Sequence, residues 1–285
     1  MPTIAITGAA GKTGRAVVQH FLEHDYSVVP IDSFGQPGGY GEFSRSLGVG
    51  LVRADLTDYG QAVDVLQGVD AVVHLAAIPA PGLFGDSTTF NENTTMNYNV
   101  FAAAQLHRIS PVVWASSETT IGLPFDTEPP RYAPIDEDHY PYPKSTYALS
   151  KVVSETMGVH FAEWTGATYI ALRLSNVHVG ADYARVSGYQ DDFALRRWNL
   201  WGYVDARDVA QACRKAVTAE LRGAHSFLIS AADTLMNATN TELLADQFPG
   251  IEIRGDVGEH KTLLSIDRAR ELLGYEPEHS WRDQL

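Results

Sequence analysis

Cys213 is the single cysteine among 285 residues. This excludes an intramolecular disulfide and a cysteine-based zinc site and carries no mark of an oxidising compartment, so a cytoplasmic location is expected. Lysine is also scarce, five against sixteen arginines, which we read as a compositional habit and not as function. Basic residues number 21 against 35 acidic ones, and the net charge of −14 leaves no broad basic face for nucleic acid or an anionic membrane. A local basic pocket for an anionic ligand remains compatible with that charge. No apolar run approaches the ~18 residues of a membrane span, and residues 1–7 lack the charged start and apolar stretch of a signal peptide. No metal site is expected, and no repeat or low-complexity tract is found. Composition and length suit one large α/β unit or two smaller ones.

What is present is an alternation of short apolar runs with longer helical patterns, as in a parallel sheet with crossover helices. Strands are predicted at 3–7, 27–31, 50–53, 71–75, 111–115 and 168–174. Helices are predicted through Val17, Val18, Phe21 and Leu22, and at 59–66, 88–109 and about 145–164. Residues 33–47, with Gly35, Pro37, Gly38, Gly39 and Gly41, read as a flexible loop. Residues 122–143 carry Pro124, Pro129, Pro130, Pro134, Pro141 and Pro143; they are too long for a connector and read as a lid or a wall of a site. Beyond Gly180 the pattern is less regular.

Gly8-Ala9-Ala10-Gly11-Lys12-Thr13-Gly14 follows the first strand and opens a helix. Such glycines permit a tight turn, close approach of backbone to a pyrophosphate and close helix–strand packing, while the helix N-terminus supplies partial positive charge. A P-loop would need glycine where Ile6 stands. Asp32, at the end of the second strand, is placed to accept hydrogen bonds from both adenosine ribose hydroxyls and to repel a 2′-phosphate, which favours NAD over NADP. A loop cap is the alternative role for Asp32. Lys12 is within reach of a phosphate, with the pyrophosphate as the expected contact. The fold expected is a Rossmann doubly wound parallel sheet over residues 1–174, with a small substrate-binding lobe over 175–285 partly interleaved with it.

Tyr147 and Lys151 stand four apart at the start of a helix, on one face. A tyrosine with a pKa near ~10 is a poor base at neutral pH, and a nearby ammonium stabilises its phenolate. Upstream, Ala115-Ser116-Ser117-Glu118 puts a serine hydroxyl at the carboxyl end of a strand, where open α/β sheets bind ligands. Further motifs follow the same order: Ala54-Asp55-Leu56-Thr57-Asp58, His74-Leu75-Ala76-Ala77, Arg173-Leu174-Ser175-Asn176-Val177, Tyr203-Val204-Asp205 and Leu273-Gly274-Tyr275. Together they resemble the extended short-chain dehydrogenase/reductase family, also described as NAD-dependent epimerase/dehydratases, over nearly the whole chain.

The resemblance implies roles. Ser117, counted back from Gly122, would hydrogen-bond the reacting oxygen; Tyr147 would take the substrate proton; Lys151 would bind the nicotinamide ribose and depress the Tyr147 pKa. Gly8, Gly11, Lys12, Thr13, Gly14 and Asp32 would hold the dinucleotide. Asp55 and Leu56 would flank the adenine, and Leu75, Ala76, Ala77 and Asn176 would line the nicotinamide side. Asn97 resembles the family's bracing asparagine, or simply bonds within its helix. A homodimer through the two long helices is expected by analogy.

Within the family the chain resembles compact uronate dehydrogenases, because the segment between Asn176 and Tyr203 is short. Arg185 would then pair with a substrate carboxylate, or be a solvated loop charge, and Glu118, Asn176, Ser117 and Tyr147 would meet the substrate. Glu118 pointing inward would repel an anion, which keeps a neutral sugar open. The expected activity is NAD-dependent oxidation of a small sugar or sugar acid. The alternatives are a nucleotide-sugar epimerase with transient NAD reduction and a non-catalytic NAD sensor.

Overall fold

The apolar runs predicted as strands collect into one parallel sheet in the structure, a computed structural model that describes residues 1–33 and 39–284. In chain order the elements are β1 (Thr3–Thr7), α1 (Lys12–Glu23), β2 (Ser27–Asp32), α2 (Gly39–Leu47), β3 (Val52–Arg53), α3 (Tyr59–Val65) and β4 (Ala71–His74). They continue with α4 (Asp86–His107), β5 (Val112–Ser117), β6 (Tyr132–Ala133), α5 (Thr146–Thr165), β7 (Tyr169–Leu174), β8 (Val177–His178) and α6 (Gly180–Tyr183). The chain ends with β9 (Val204–Asp205), α7 (Ala206–Thr218), β10 (Ala224–Ile229), α8 (Asn240–Gln247), β11 (Glu252–Ile253) and α9 (Asp267–Leu273).

Seven strands run β10-β7-β5-β4-β1-β2-β3, each pair parallel. The chain moves outward from β1 through β2 and β3, returns to the other side of β1 with β4, and moves outward again. That reversal makes the crevice at the carboxyl ends of β1 and β4 the natural ligand site of a Rossmann doubly wound sheet. Successive side chains of a strand point to opposite faces, so Ile4 and Ile6 enter one core with Val17, Phe21, Val209 and Cys213. Ala5 enters the other, with Phe101, Trp114 and Tyr169. No helix of the described residues is long and apolar enough to cross a membrane.

Residues 206–229 rejoin the sheet layer as α7 and β10. A third core, outside the sheet, joins Leu123, Phe125 and Ile135 of the proline-rich segment to Leu200, Trp201, Leu243 and Leu263. Parallel pairing of β6 with β11 fastens that segment further, which makes it a packed wall. The loop expected at 33–47 is corrected in its second half. Gly39–Leu47 is helix α2, because Phe43 is fully buried against the α1 core and lies under the Arg15 guanidinium at 5.4 Å. Burial of this ring offsets the helix cost of the neighbouring glycines. Residues 34–38 lie outside the described residues.

Helix α5 starts where the Ser145 hydroxyl accepts from the Ala148 N–H at 3.1 Å and stops at Gly166, whose φ of 70° is left-handed. Its middle lies so close to β5 that a Cβ on Gly158 would stand 2.5 Å from Trp114 Cη2. Alanine in a helix interior is ordinarily better than glycine by up to ~1 kcal/mol. The Trp114 ring is held edge-on by Phe101 and Tyr169, so the overpacking cost of about 1–3 kcal/mol wins. Gly158→Ala is therefore expected to lower the melting temperature; a thermal scan showing an unchanged or higher midpoint would mean that the ring yields.

Candidate active site

The glycine-rich turn has geometry that only glycine meets. Gly8 has φ +66°, and a Cβ there would lie 2.7 Å from the Ala76 nitrogen. A Cβ on Gly14 would lie 2.1 Å from the Gly8 carbonyl oxygen, so α1 approaches the turn directly. The Gly11 N–H closes the turn onto the Gly8 carbonyl at 3.1 Å. Gly11 supplies no side-chain cap to α1, and no acidic residue lies in its first turn, which contains Lys12 and Thr13. Its leading amides are thus left for an anionic ligand.

Asp32 is 8% exposed, and it does cap the loop: Oδ2 accepts from the Ala10 N–H at 2.8 Å and Oδ1 from the Ser33 N–H at 2.7 Å. Burial raises its pKa above the ordinary aspartate value. Each oxygen retains a lone pair, so the cap is compatible with a ribose diol. Lys12 is placed differently from its expected pyrophosphate contact. Its ammonium donates to the Val177 carbonyl at 2.6 Å and to Asp182 at 2.8 Å, tying the turn to the lobe.

Three more strand ends face the same crevice. After β3, Asp55 is exposed and accepts from both the N–H and hydroxyl of Thr57, while Leu56 is buried. Asn99 on α4, which sequence reasoning missed, donates to the carbonyls of Leu56 and Thr57 at 2.9 Å each. After β4, the half-buried Leu75, Ala76 and Ala77 continue from His74, and the Thr7 hydroxyl accepts from the N–H groups of Leu75 and Ala76. Thr7 also meets His74 Nδ1 at 2.6 Å; burial pushes this imidazole down to about 3, so it is neutral. Asn97 takes the within-helix role, donating to the Asn93 carbonyl at 2.7 Å. The cross-brace is Asn93, whose amide pairs with both the N–H and C=O of Ile78 and reaches Ser150 on α5. Two asparagines one helical turn apart cannot be told apart by pattern.

Ser117 ends β5 and is buried; its hydroxyl accepts from the N–H and hydroxyl of Thr119, leaving its own proton for Tyr147. Tyr147 and Lys151 are both buried on the face of α5 turned to that strand end. Lys151 Nζ donates to the Ala115 carbonyl at 2.9 Å and lies 5.6 Å from the Tyr147 ring centre. The expected lowering of the Tyr147 pKa is corrected. Burial pushes the phenol up to about 12, with the Ser117 hydrogen bond opposing and the Glu118 charge adding to the rise. Burial also brings Lys151 down to about 8, against the pull of Glu155, which weakens the ammonium meant to stabilise the phenolate.

Glu118 is corrected as well. Glu118 is 3% exposed and turned into the protein, where Oε2 accepts from Ser175 at 2.6 Å and Oε1 from Asn199 at 3.3 Å. Arg185 is exposed, with no side-chain partner among the described residues. The guanidinium beside the β7 end is that of Arg196, which is buried and donates through both Nη atoms to Asn176 Oδ1 at 3.2 Å. The two arginines stand eleven positions apart in the chain, and only the turns after α6 decide which one folds back.

The fit of the glycine turn yields a direct test. Gly14→Ala must displace the Gly8 carbonyl, and it is expected to weaken NAD binding by at least about tenfold, since moving one or two backbone donors loses hydrogen bonds to a charged group worth ~1.5–3 kcal/mol. Equilibrium titration with NAD measures this; an unchanged Kd would remove the turn from the binding site.

The profile of the NAD dependent epimerase/dehydratase family matches residues 4–230. An L-arabinose 1-dehydrogenase (NAD(P)(+)) of Haloferax volcanii is 31% identical over 228 residues, which are 78% of this chain and 84% of that protein. An NAD-dependent glucose-6-phosphate dehydrogenase of the same organism is 24% identical over 290 residues, 96% of this chain and 92% of that protein. A UDP-glucose 4-epimerase structure from Stenotrophomonas maltophila, with NAD and formylated UDP-arabinopyranose bound, shares the fold with a TM-score of 0.76 at 19% identity, covering 100% of this chain and 96% of that one. The match spans the glycine turn, the β5 end and α5. The chain belongs to the NAD-dependent epimerase/dehydratase family of enzymes, and its cofactor is NAD.

Proposed function

We propose that this protein is a dehydrogenase that oxidises a hydroxyl of a small free sugar or sugar acid by hydride transfer, with Tyr147 as the base. The observation that carries this reading is the economy of the chain after β7. Between Asn176 and Tyr203 it forms only β8, α6 and short 3-10 turns, and Tyr183, Val186, Leu200 and Trp201 are consumed by the lobe's own packing. Little remains to grip a nucleoside diphosphate. The arabinose dehydrogenase relative supports a free aldose. Arg196 is spent on Asn176 and Gly202, and Arg185 is exposed, so a neutral sugar is favoured.

In this reading the glycine turn and the α1 amides hold the pyrophosphate, Asp32 the adenosine ribose, and Asp55 and Leu56 the adenine. Leu75, Ala76 and Ala77 form the wall beside the nicotinamide. When bound, NAD supplies the hydride acceptor. Ser117 orients the substrate hydroxyl, Tyr147 takes its proton, and Lys151, fixed by the Ala115 carbonyl, keeps further N–H groups for the nicotinamide ribose. Exposed Tyr98, Val159 and Trp164 on α4 and α5 support a homodimer through these helices.

NADH formation across free sugars, uronates and nucleotide-sugars tests the proposal. Steady NADH from a free sugar is expected; turnover of a nucleotide-sugar without net NADH would replace it with an epimerase. Tyr147→Phe is expected to cut turnover by ~10²–10⁴-fold, the usual worth of acid–base catalysis, with NAD binding retained. An active Phe variant would sink the assignment. Asp32→Ala is expected to relax the preference for NAD over NADP, read as the ratio of the two kcat/KM values; an unchanged ratio would mean that the ribose is held elsewhere.

A further inference from the structure

The buried carboxylate of Glu118 begins a polar chain that ends at the crevice. Asn199 Nδ2 donates to Glu118 Oε1 and, at 2.9 Å, to the Gly202 carbonyl. The same carbonyl accepts from Arg196 Nη2 at 3.0 Å, and both Arg196 Nη atoms grip Asn176 Oδ1. His178 Nε2 lies 3.1 Å from the same oxygen. Gly202 is required in this chain, since a Cβ there would stand 2.6 Å from Leu264 and 3.1 Å from the Ser175 hydroxyl that Glu118 holds. The guanidinium is also fixed in plane, 4.9 Å from the Trp198 ring centre and 5.7 Å from that of Tyr189.

A guanidinium only donates, so the atom of Asn176 that faces Arg196 must be the oxygen. The Asn176 amide therefore cannot flip. Its Nδ2 has no partner among the described residues and is open to solvent. Asn176 stands two residues beyond Leu174, the register partner of Ser117, so this open N–H₂ group lies beside the catalytic strand end.

We propose that Glu118 is a positioning residue: through Asn199 and Arg196 it locks the Asn176 amide so that its N–H₂ faces the substrate and selects a ligand oxygen, a sugar hydroxyl or ring oxygen, over an amine. This deepens the sugar dehydrogenase reading and rests on it. The negative charge of Glu118 balances Arg196 without touching it, and burial lifts its carboxyl to about 7. The charged or titratable groups that face Glu118 are Arg196 from the turn at Phe193–Asn199 and Tyr147 from α5. Arg173 on β7 is taken by Glu155, and Lys151 on α5 by the Ala115 carbonyl. Below about 7 the carboxyl is protonated, and Arg196 keeps its grip on Asn176 but loses its counter-charge, so its hold is looser; above about 7 the hold is firm.

The test is sugar KM against pH at saturating NAD. In the wild-type enzyme KM is expected to fall by about fivefold to tenfold as pH rises through 7, the worth of roughly one hydrogen bond. Glu118→Gln is expected to hold KM at the low-pH value at every pH, with NAD affinity little changed, and Glu118→Asp to restore the pH dependence. A Gln variant that follows the wild-type profile overturns the proposal, as does one that loses kcat or melting temperature with KM unmoved. If Glu118→Gln does not fold, Arg196→Lys, which keeps the charge and loses the double grip, decides the matter: raised KM at unchanged kcat supports the lock, and unchanged KM removes it. A readout without substrate keeps the two readings apart. The Asn176 side-chain amide signals in ¹⁵N-labelled protein, identified by their loss in Asn176→Asp, are expected to shift through pH 7 in wild type and to stay still in Glu118→Gln. Still signals in wild type overturn the lock; moving signals without NADH from any sugar overturn the sugar reading alone.

Discussion

The carboxylate of Glu155 on α5 accepts from the Ser116 hydroxyl at 2.5 Å and pairs with the Arg173 guanidinium at 2.8 and 3.0 Å. One ion pair between the buried Arg173 and the half-buried Glu155 thus pins the helix that carries Tyr147 and Lys151 to β5 and β7 together. Arg173 Nη1 also donates to the Glu137 carbonyl, so the proline-rich wall hangs from the same point. A pair of this kind adds little net stability over an apolar alternative, yet losing one partner strands a buried charge at a cost of ~3–5 kcal/mol. Its value lies in holding the Tyr147–Lys151 face against the Ser117 strand end.

Burial is the common cause of the electrostatics around that face. It raises the Tyr147 phenol, raises the Glu118 carboxyl to about 7, lowers Lys151 to about 8 and keeps His74 neutral. Each shift favours the uncharged form, as removal from water requires. The side chains around the Ser117 strand end are thereby biased towards their neutral forms.

Much of this was legible in the residues. The strands at the sheet centre, the glycine turn, Asp32 at the end of β2 and the Tyr147–Lys151 pair are set by local rules: alternation, 3.6-residue spacing and the backbone freedom of glycine. The misreadings share a cause. Helix α2 forms over glycines because Phe43 finds a core made by α1. Asn97 takes the second of its two expected roles, and Asn93 braces the crevice because of where Ile78 returns. Glu118 turns inward because Ser175 and Asn199 come from distant parts of the chain to receive it. Lys12, free in sequence, is met by Val177 and Asp182 from across the crevice.

Pattern alone carried the glycine-turn half because a strand, turn and helix in sequence are built from neighbours in the chain, and neighbours leave their spacing in the sequence. The lobe beyond β7 depends on contacts such as Glu118 with Asn199 and Arg196 with Asn176, which span 81 and 20 residues. Nothing in the spacing of a guanidinium or a carboxylate says which way it turns. The tertiary fold decides that, because a buried charge must find its partners wherever packing puts them.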